Sequence, residues 1–124
     1  MNNAIVIDID GTLCEIKGPN ETYSDVKPKG PVVETLKDYK RKGYRVVLYT
    51  SRNMRSFNNN TGEISAKTLP VLFDWLEKHD IPFDEIHVGK PWAGPKGFYV
   101  DDRTVRPDEF TSLTEEQINQ LLAD

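Results

Sequence analysis

Asp8 and Asp10, Thr50-Ser51-Arg52, Lys90 and Asp101-Asp102 are the residues of this chain whose types and spacing could do chemistry together. The first two close the run IVIDIDGTL (residues 5–13). Side chains alternate along an extended chain, so Asp8 and Asp10 point the same way. Two like charges so placed repel and resist desolvation unless a cation or a proton lies between them. An ordinary polar turn would account for Asp10-Gly11 but not for Asp8. Carboxylate oxygens unaccompanied by imidazole or thiolate suit a hard cation, Mg²⁺ above all. A cation, a lysine ammonium and a threonine hydroxyl beside an aspartate make a phosphate site. The cation and Lys90 would neutralise equatorial oxygens, and Thr50 would donate a hydrogen bond. In such a site Asp8 can attack phosphorus and form an aspartyl-phosphate. Asp10 is placed to protonate the leaving oxygen and then to deprotonate the attacking water. Arg52 reads two ways, as a contact to a second anionic or hydroxyl group or as a surface ion pair.

These residues are far apart in sequence and need a fold that gathers them. Ile5, Val6 and Ile7 are β-branched, and a short apolar run of this kind is a strand buried on both faces; it is expected over residues 4–9. Residues 12–30 carry the turn signals Gly18-Pro19-Asn20, Tyr23-Ser24-Asp25 and Pro28-Lys29-Gly30, and predict a loop or small hairpin. Pro31 suits the start of a helix, Val32, Val33, Leu36 and Tyr39 recur at helical spacing, and Gly43 is a natural stop. RVVLYT (45–50) is a second buried strand. Residues 54–65, with Asn58-Asn59-Asn60-Thr61-Gly62, read as a mobile loop. A second helix then runs to about His79, with Leu69, Leu72, Phe73 and Leu76 inward and Pro70 in its first turn. EIHV (85–88) and GFYV (97–100) are expected as the third and fourth strands. The tail 112–122 opens with a Ser112–Glu115 capping-box pattern and offers Leu113, Ile118, Leu121 and Leu122 to a core.

Strands alternating with helices predict a largely parallel α/β sheet of Rossmann-like, three-layer kind. Ligands of such sheets bind beyond the carboxyl ends of the strands, which is where each of the candidate residues falls. With 124 residues and no dividing linker or repeat, residues 1–124 are expected to form a single domain. A net charge of −4 disfavours a nucleic-acid partner. One cysteine, Cys14, rules out an internal disulfide and points to a reducing, cytoplasmic setting. No stretch approaches membrane-spanning length. Four short strands leave open edges, which would suit a homo-oligomer.

DIDGT (8–12), Thr50 after its apolar run, Lys90 and Asp101-Asp102 resemble, in order, the four motifs of the haloacid dehalogenase (HAD) superfamily. The resemblance implies Asp8 as nucleophile, Asp10 as general acid/base, and Thr50 and Lys90 as phosphate binders; Ser51 and Arg52, which follow Thr50 directly, are expected beside them at the substrate by position. It implies Mg²⁺ held by Asp8, the Asp10 backbone carbonyl and one of Asp101 and Asp102, with Asp102 favoured as the direct ligand and Asp101 supporting it. Aspartate at position 10 fits phosphatases and phosphomutases rather than dehalogenases or transport ATPases, and neither insertion point has room for a cap domain. YTSRNM, KTLPVLFDWLEKH, IHVGKPWAG and GFYVDDRTVRPDEF look more narrowly like the small phosphatases of bacterial capsular polysaccharide synthesis. A small-molecule phosphate ester, a sugar phosphate or related metabolite, is then the implied substrate. An uncapped site must be closed by substrate, by a neighbouring subunit or by its own loops, for which Tyr23, residues 54–62 and Trp92 are candidates. The strings Thr50-Ser51-Arg52 and Asp101-Asp102-Arg103 also resemble polynucleotide 3′-phosphatases. A receiver-type phosphoacceptor domain is the non-enzyme alternative, but it needs an aspartate at the end of a middle strand, where this chain has Tyr49-Thr50 and Val88-Gly89.

Overall fold

The computed structural model describes residues 3–123, which fall into two compact units, Met1–Trp92 and Ala93–Asp124. The first is an α/β unit in the order β1 (Ala4–Ile7), α1 (Gly30–Arg41), β2 (Arg45–Thr50), α2 (Thr61–Lys78) and β3 (Glu85–Val88). Its strands are parallel in the order β1-β2-β3, with Ile7 opposite Leu48 and Thr50 opposite Val88. This is the Rossmann-like core expected from the strand–helix alternation. Both crossovers step across the sheet in the same direction, so right-handed connections place α1 and α2 over one face. Burial alternates accordingly: Ile7, Val46 and Leu48 are buried while Val6 is 63 % exposed. Val33 and Leu36 of α1 and Ile64, Leu72, Trp75 and Leu76 of α2 complete the core.

The 12–30 segment is a loop tied at its base, as its turn residues suggest. Lys29 N–H donates to the Leu13 carbonyl at 2.8 Å and Glu15 N–H to the Lys27 carbonyl at 2.9 Å. Next to that base the Trp75 indole donates to the Val26 carbonyl at 2.9 Å.

The second helix begins earlier than its sequence suggests. Asn60 caps it, its side chain accepting the Glu63 N–H at 3.0 Å, so Thr61 and Gly62 are helical rather than part of a loop. Pro70 consequently lies inside α2, not in its first turn. Pro70 and Ala66 are both exposed, so the carbonyl that loses its partner lies on the side that meets water. Leu72 and Leu76 face inward as expected, but Trp75 is buried beside them while Phe73 is 45 % exposed.

In the second unit the expected fourth strand is not formed. Within this unit residues 97–100 form no strand, and Phe98 and Val100 are exposed. The unit instead contains α3 (Pro107–Ser112), which buries Phe110, and α4 (Glu115–Leu121). The capping box of α4 is Thr114–Gln117, not Ser112–Glu115, and α4 buries none of its residues. Among the described residues no helix is long and apolar enough to cross a membrane.

Candidate active site

The carboxyl edge of the β1–β2–β3 sheet collects the chemistry-bearing residues of the first unit. β1 ends at Ile7, and the chain turns at Gly11, whose φ of +86° is easy only for glycine. Four carbonyl–amide bonds close that turn, among them Thr12 N–H and Leu13 N–H to the Ile9 carbonyl at 3.0 and 2.9 Å. Lys29 reaches back from the base of the 12–30 loop, which forms a flap beside the site, to the Gly11 carbonyl at 3.1 Å. This bracing gives Asp8 and Asp10 fixed and separate surroundings.

Asp8 is flanked by Thr12, whose hydroxyl donates to Oδ2 at 3.1 Å, and by Lys90, whose ammonium stands 3.5 Å from Oδ1. Lys90 arrives there because its N–H extends the β2–β3 ladder to the Thr50 carbonyl at 3.1 Å. Gly89 makes the preceding bend at φ +88°, where a Cβ would also come 3.0 Å from the Thr61 methyl.

Thr50 ends β2 with its side chain on the buried face. Its hydroxyl accepts the Arg52 N–H at 3.0 Å, which leaves its own proton available to a ligand oxygen. Ser51 is half-buried, and its carbonyl accepts the Met54 N–H at 3.0 Å.

Asp10 lies against Arg52. Nε donates to Oδ2 at 3.0 Å and Nη2 to Oδ1 at 2.8 Å, a two-pronged pair. The Cys14 thiol also approaches Oδ1 at 3.6 Å. The Arg52 side chain is only 1 % exposed, so neither a surface ion pair nor a group open to solvent describes it. Tyr23 of the flap covers the guanidinium, with its ring centre 4.1 Å from Cζ. Nη1 is buried without a hydrogen-bond partner, which costs roughly 1–3 kcal/mol. Burial, then the nearby Asp10 charge, raises the Tyr23 hydroxyl above its usual range. Burial likewise pushes the Cys14 thiol up to about 12, so it remains protonated and acts as a small packing residue.

The structure thus brings Asp8, Asp10, Thr50, Ser51, Arg52 and Lys90 to one edge. Thr12 and Lys29 are supports that spacing alone does not reveal, although Thr12 belongs to the DIDGT string. Trp92 is 47 % exposed, which rules out a core role, and the Arg55 guanidinium lies 5.4 Å from its ring centre. Asp101 and Asp102 belong to the second unit and are exposed, with Asp101 accepting the Arg103 N–H at 2.9 Å. Among the described residues no three acidic, histidine or cysteine side chains already close on one point. The donors at the edge are nonetheless all oxygen, with the one thiol protonated, which fits a hard cation and not a soft one. The middle strand β2 ends at Thr50, so it carries no phosphoacceptor aspartate.

Residues 5–81 match the family of haloacid dehalogenase-like hydrolases, and the chain belongs to that family. A crystal structure of a structural-genomics target from Vibrio cholerae is 45 % identical with a TM-score of 0.93, covering 98 % of this chain and 97 % of that one. The D-glycero-beta-D-manno-heptose-1,7-bisphosphate 7-phosphatase of Haemophilus influenzae is 28 % identical over 106 residues, which are 82 % of this chain. The match spans 55 % of that relative's length. A chain of a Pnkp1/Rnl/Hen1 complex shares the fold at 21 % identity and a TM-score of 0.53, over 91 % of this chain and 35 % of that one.

Proposed function

We propose that the chain is a phosphomonoester hydrolase that works through an aspartyl-phosphate, on a sugar phosphate or related metabolite of surface (capsular) polysaccharide synthesis. One observation carries the reading: Asp8 sits between the Thr12 hydroxyl and the Lys90 ammonium, with a second, separately held carboxylate at the same edge. Membership of the hydrolase family supports it, and a relative named for a sugar bisphosphate supports the substrate class.

In the first step an Asp8 oxygen bonds to phosphorus as the ester P–O bond breaks. Asp10 gives its proton to the departing oxygen. In the second step water attacks the same phosphorus, Asp10 takes the water's proton, and the Asp8–phosphorus bond breaks to release inorganic phosphate. Lys90 and the Thr50 hydroxyl hold phosphoryl oxygens through both steps, with Ser51 beside them. Mg²⁺ would be held by Asp8, the Asp10 carbonyl and one of Asp101 and Asp102, and supplies charge neutralisation for the phosphoryl group. Residues 1–124 act as one functional domain of a cytoplasmic enzyme in this proposal.

A panel of sugar phosphates, assayed with and without Mg²⁺ beside a 3′-phosphorylated oligonucleotide, tests the reading. Mg²⁺-dependent phosphate release from a sugar phosphate is expected. Turnover of the oligonucleotide alone would transfer the assignment to a polynucleotide 3′-phosphatase, and phosphate retained on the protein would revive the phosphoacceptor alternative.

A further inference from the structure

We infer that Arg52 is a positioning residue for Asp10, and that Tyr23 locks that pair in place. The inference rests on the acid/base reading of Asp10 given above. A carboxylate on a turn has free rotation about two side-chain bonds, and proton transfer to an ester oxygen needs its lone pairs aimed to within hydrogen-bond reach. Asp10 is on such a turn, past the last ladder residue of β1, so the strand itself does not aim it. The guanidinium does. Both of its donors on one edge meet both carboxylate oxygens, at 3.0 and 2.8 Å, and this fork fixes the carboxylate plane as a single contact would not.

The guanidinium is in turn held from three sides. Its own backbone N–H is tied to the Thr50 hydroxyl at 3.0 Å, so the end of β2 sets where the side chain starts. Its side chain is 1 % exposed, so it cannot swing out to solvent without moving the flap. The Tyr23 ring covers it, with its centre 4.1 Å from Cζ. One donor, Nη1, is left buried and unpaired. A purely structural pair would be cheaper as two packed apolar residues, and a substrate contact would need an open face. Neither describes this arginine. It faces the acid/base and is closed to the ligand.

Esters with different leaving groups separate the roles. A p-nitrophenolate leaves without help from an acid, whereas an alkoxide needs a proton. The comparison therefore measures kcat and KM of wild type, D10N, R52A, R52K and R52A/D10N on p-nitrophenyl phosphate and on β-glycerophosphate. All losses are compared in kcat/KM, which reports the first step alone and leaves out the hydrolysis step that both esters share. With Asp10 misaimed, R52A should lose about 10²-fold in kcat/KM on the alkyl ester, the low end of what a general acid contributes, and less than about 5-fold on the aryl ester. KM should not rise by more than about 3-fold on either. R52K, which keeps the charge but not the fork, should show the same pattern at a smaller size. R52A/D10N should match D10N within about 2-fold, because a positioning residue has nothing left to position. Circular dichroism identifies whether R52A is folded. If it is not, R52K and Y23L, which uncovers the guanidinium, carry the same two-ester comparison.

A rise in KM with kcat retained would make Arg52 a substrate contact and overturn the inference. Equal losses on both esters, or R52A and D10N losses that multiply, would overturn it in favour of a structural role. If D10N itself treats the two esters alike, the acid/base reading of Asp10 fails, and the inference about Arg52 falls with it. A leaving-group effect in D10N but not in the Arg52 variants overturns the inference alone.

Discussion

The two ends of the β1–β2–β3 sheet carry the same kinds of side chain and use them differently. At the amino end, both Asp84 oxygens accept from Lys40, at 2.8 and 2.7 Å, and one also accepts the Val46 N–H at 2.8 Å. Beside it Glu85 pairs with Arg45 at 2.8 Å. Both carboxyls are held below their usual range, Asp84 by its bond from Lys40 first and Glu85 by its bond from Arg45 first. At the carboxyl end Asp8 has a hydroxyl at 3.1 Å and a cation standing off at 3.5 Å. Acids and bases at the amino end are spent on one another. At the carboxyl end one carboxylate is held rigidly and the other is left with capacity for a further partner. Charge alone therefore does not mark a site; unfinished pairing at a braced position does.

The sharpest way to break this comparison is to neutralise Asp8. D8N should remove at least about 10³-fold of turnover, as loss of a covalent nucleophile does, while the melting temperature moves by only a few degrees. Substantial residual activity would make the carboxyl end no more chemical than the amino end. Next in size is Lys90. K90M should cost about 10²-fold in kcat/KM, the scale of a lost oxyanion donor, in steady-state assays on any accepted phosphate ester. A loss under 5-fold would mean that its 3.5 Å stand-off from Asp8 serves stability instead.

Asp101 and Asp102 ask whether the carboxyl end draws on the second unit. If Asp102 ligates the metal and Asp101 supports it, D102N should raise the Mg²⁺ concentration for half-maximal activity the more steeply. D101N should raise it about 10-fold, toward the low end of what an outer partner costs. Unchanged Mg²⁺ titrations in both variants would remove the pair from the proposal.

The βαβαβ order and the strand-end positions of Thr50 and Lys90 were legible because hydrophobic runs of four to six residues recur between clear breakers. Each lies one or two residues past an apolar run, and parallel pairing does the rest. The Asp10–Arg52 pair was not legible. Forty-two residues separate its members, and their meeting depends on how two strand ends and the flap close together. An arginine two residues past a buried strand could be a surface residue by every local rule. Partners distant in sequence, the Asp10 carboxylate and the Tyr23 ring, close over it. The start of α2 is hidden for a different reason: an Asn-rich string resembles a loop, and here its last asparagine is the cap. GFYV forms no strand within the second unit, because an apolar run becomes one only against a partner ladder and that unit offers helices instead.

The smallest expected effect belongs to the amino end, and it comes with a sign. The Asp84 carboxyl is lowered in the folded protein from an ordinary value of 3.8. A group lowered by folding contributes stability that is fully present above its unfolded value and lost as pH falls through its folded one. D84N keeps an acceptor for the Val46 N–H but gives up the charge that Lys40 binds, a loss that solvent screening of this partly exposed pair limits to about 0.5–1 kcal/mol. At pH 7 that should lower the melting temperature by roughly 2–5 °C. The gap between variant and wild type should hold down to about pH 4 and then narrow, because below its folded value the wild-type Asp84 is itself protonated. Thermal melts from pH 7 to pH 2.5 read this directly, and activity at pH 7 measured well below the melting temperature should be unchanged. A gap that is constant across the range would mean that Asp84 holds α1, β2 and β3 together by shape and not by charge. The two ends of the sheet would then differ in kind, not only in how completely their charges are paired.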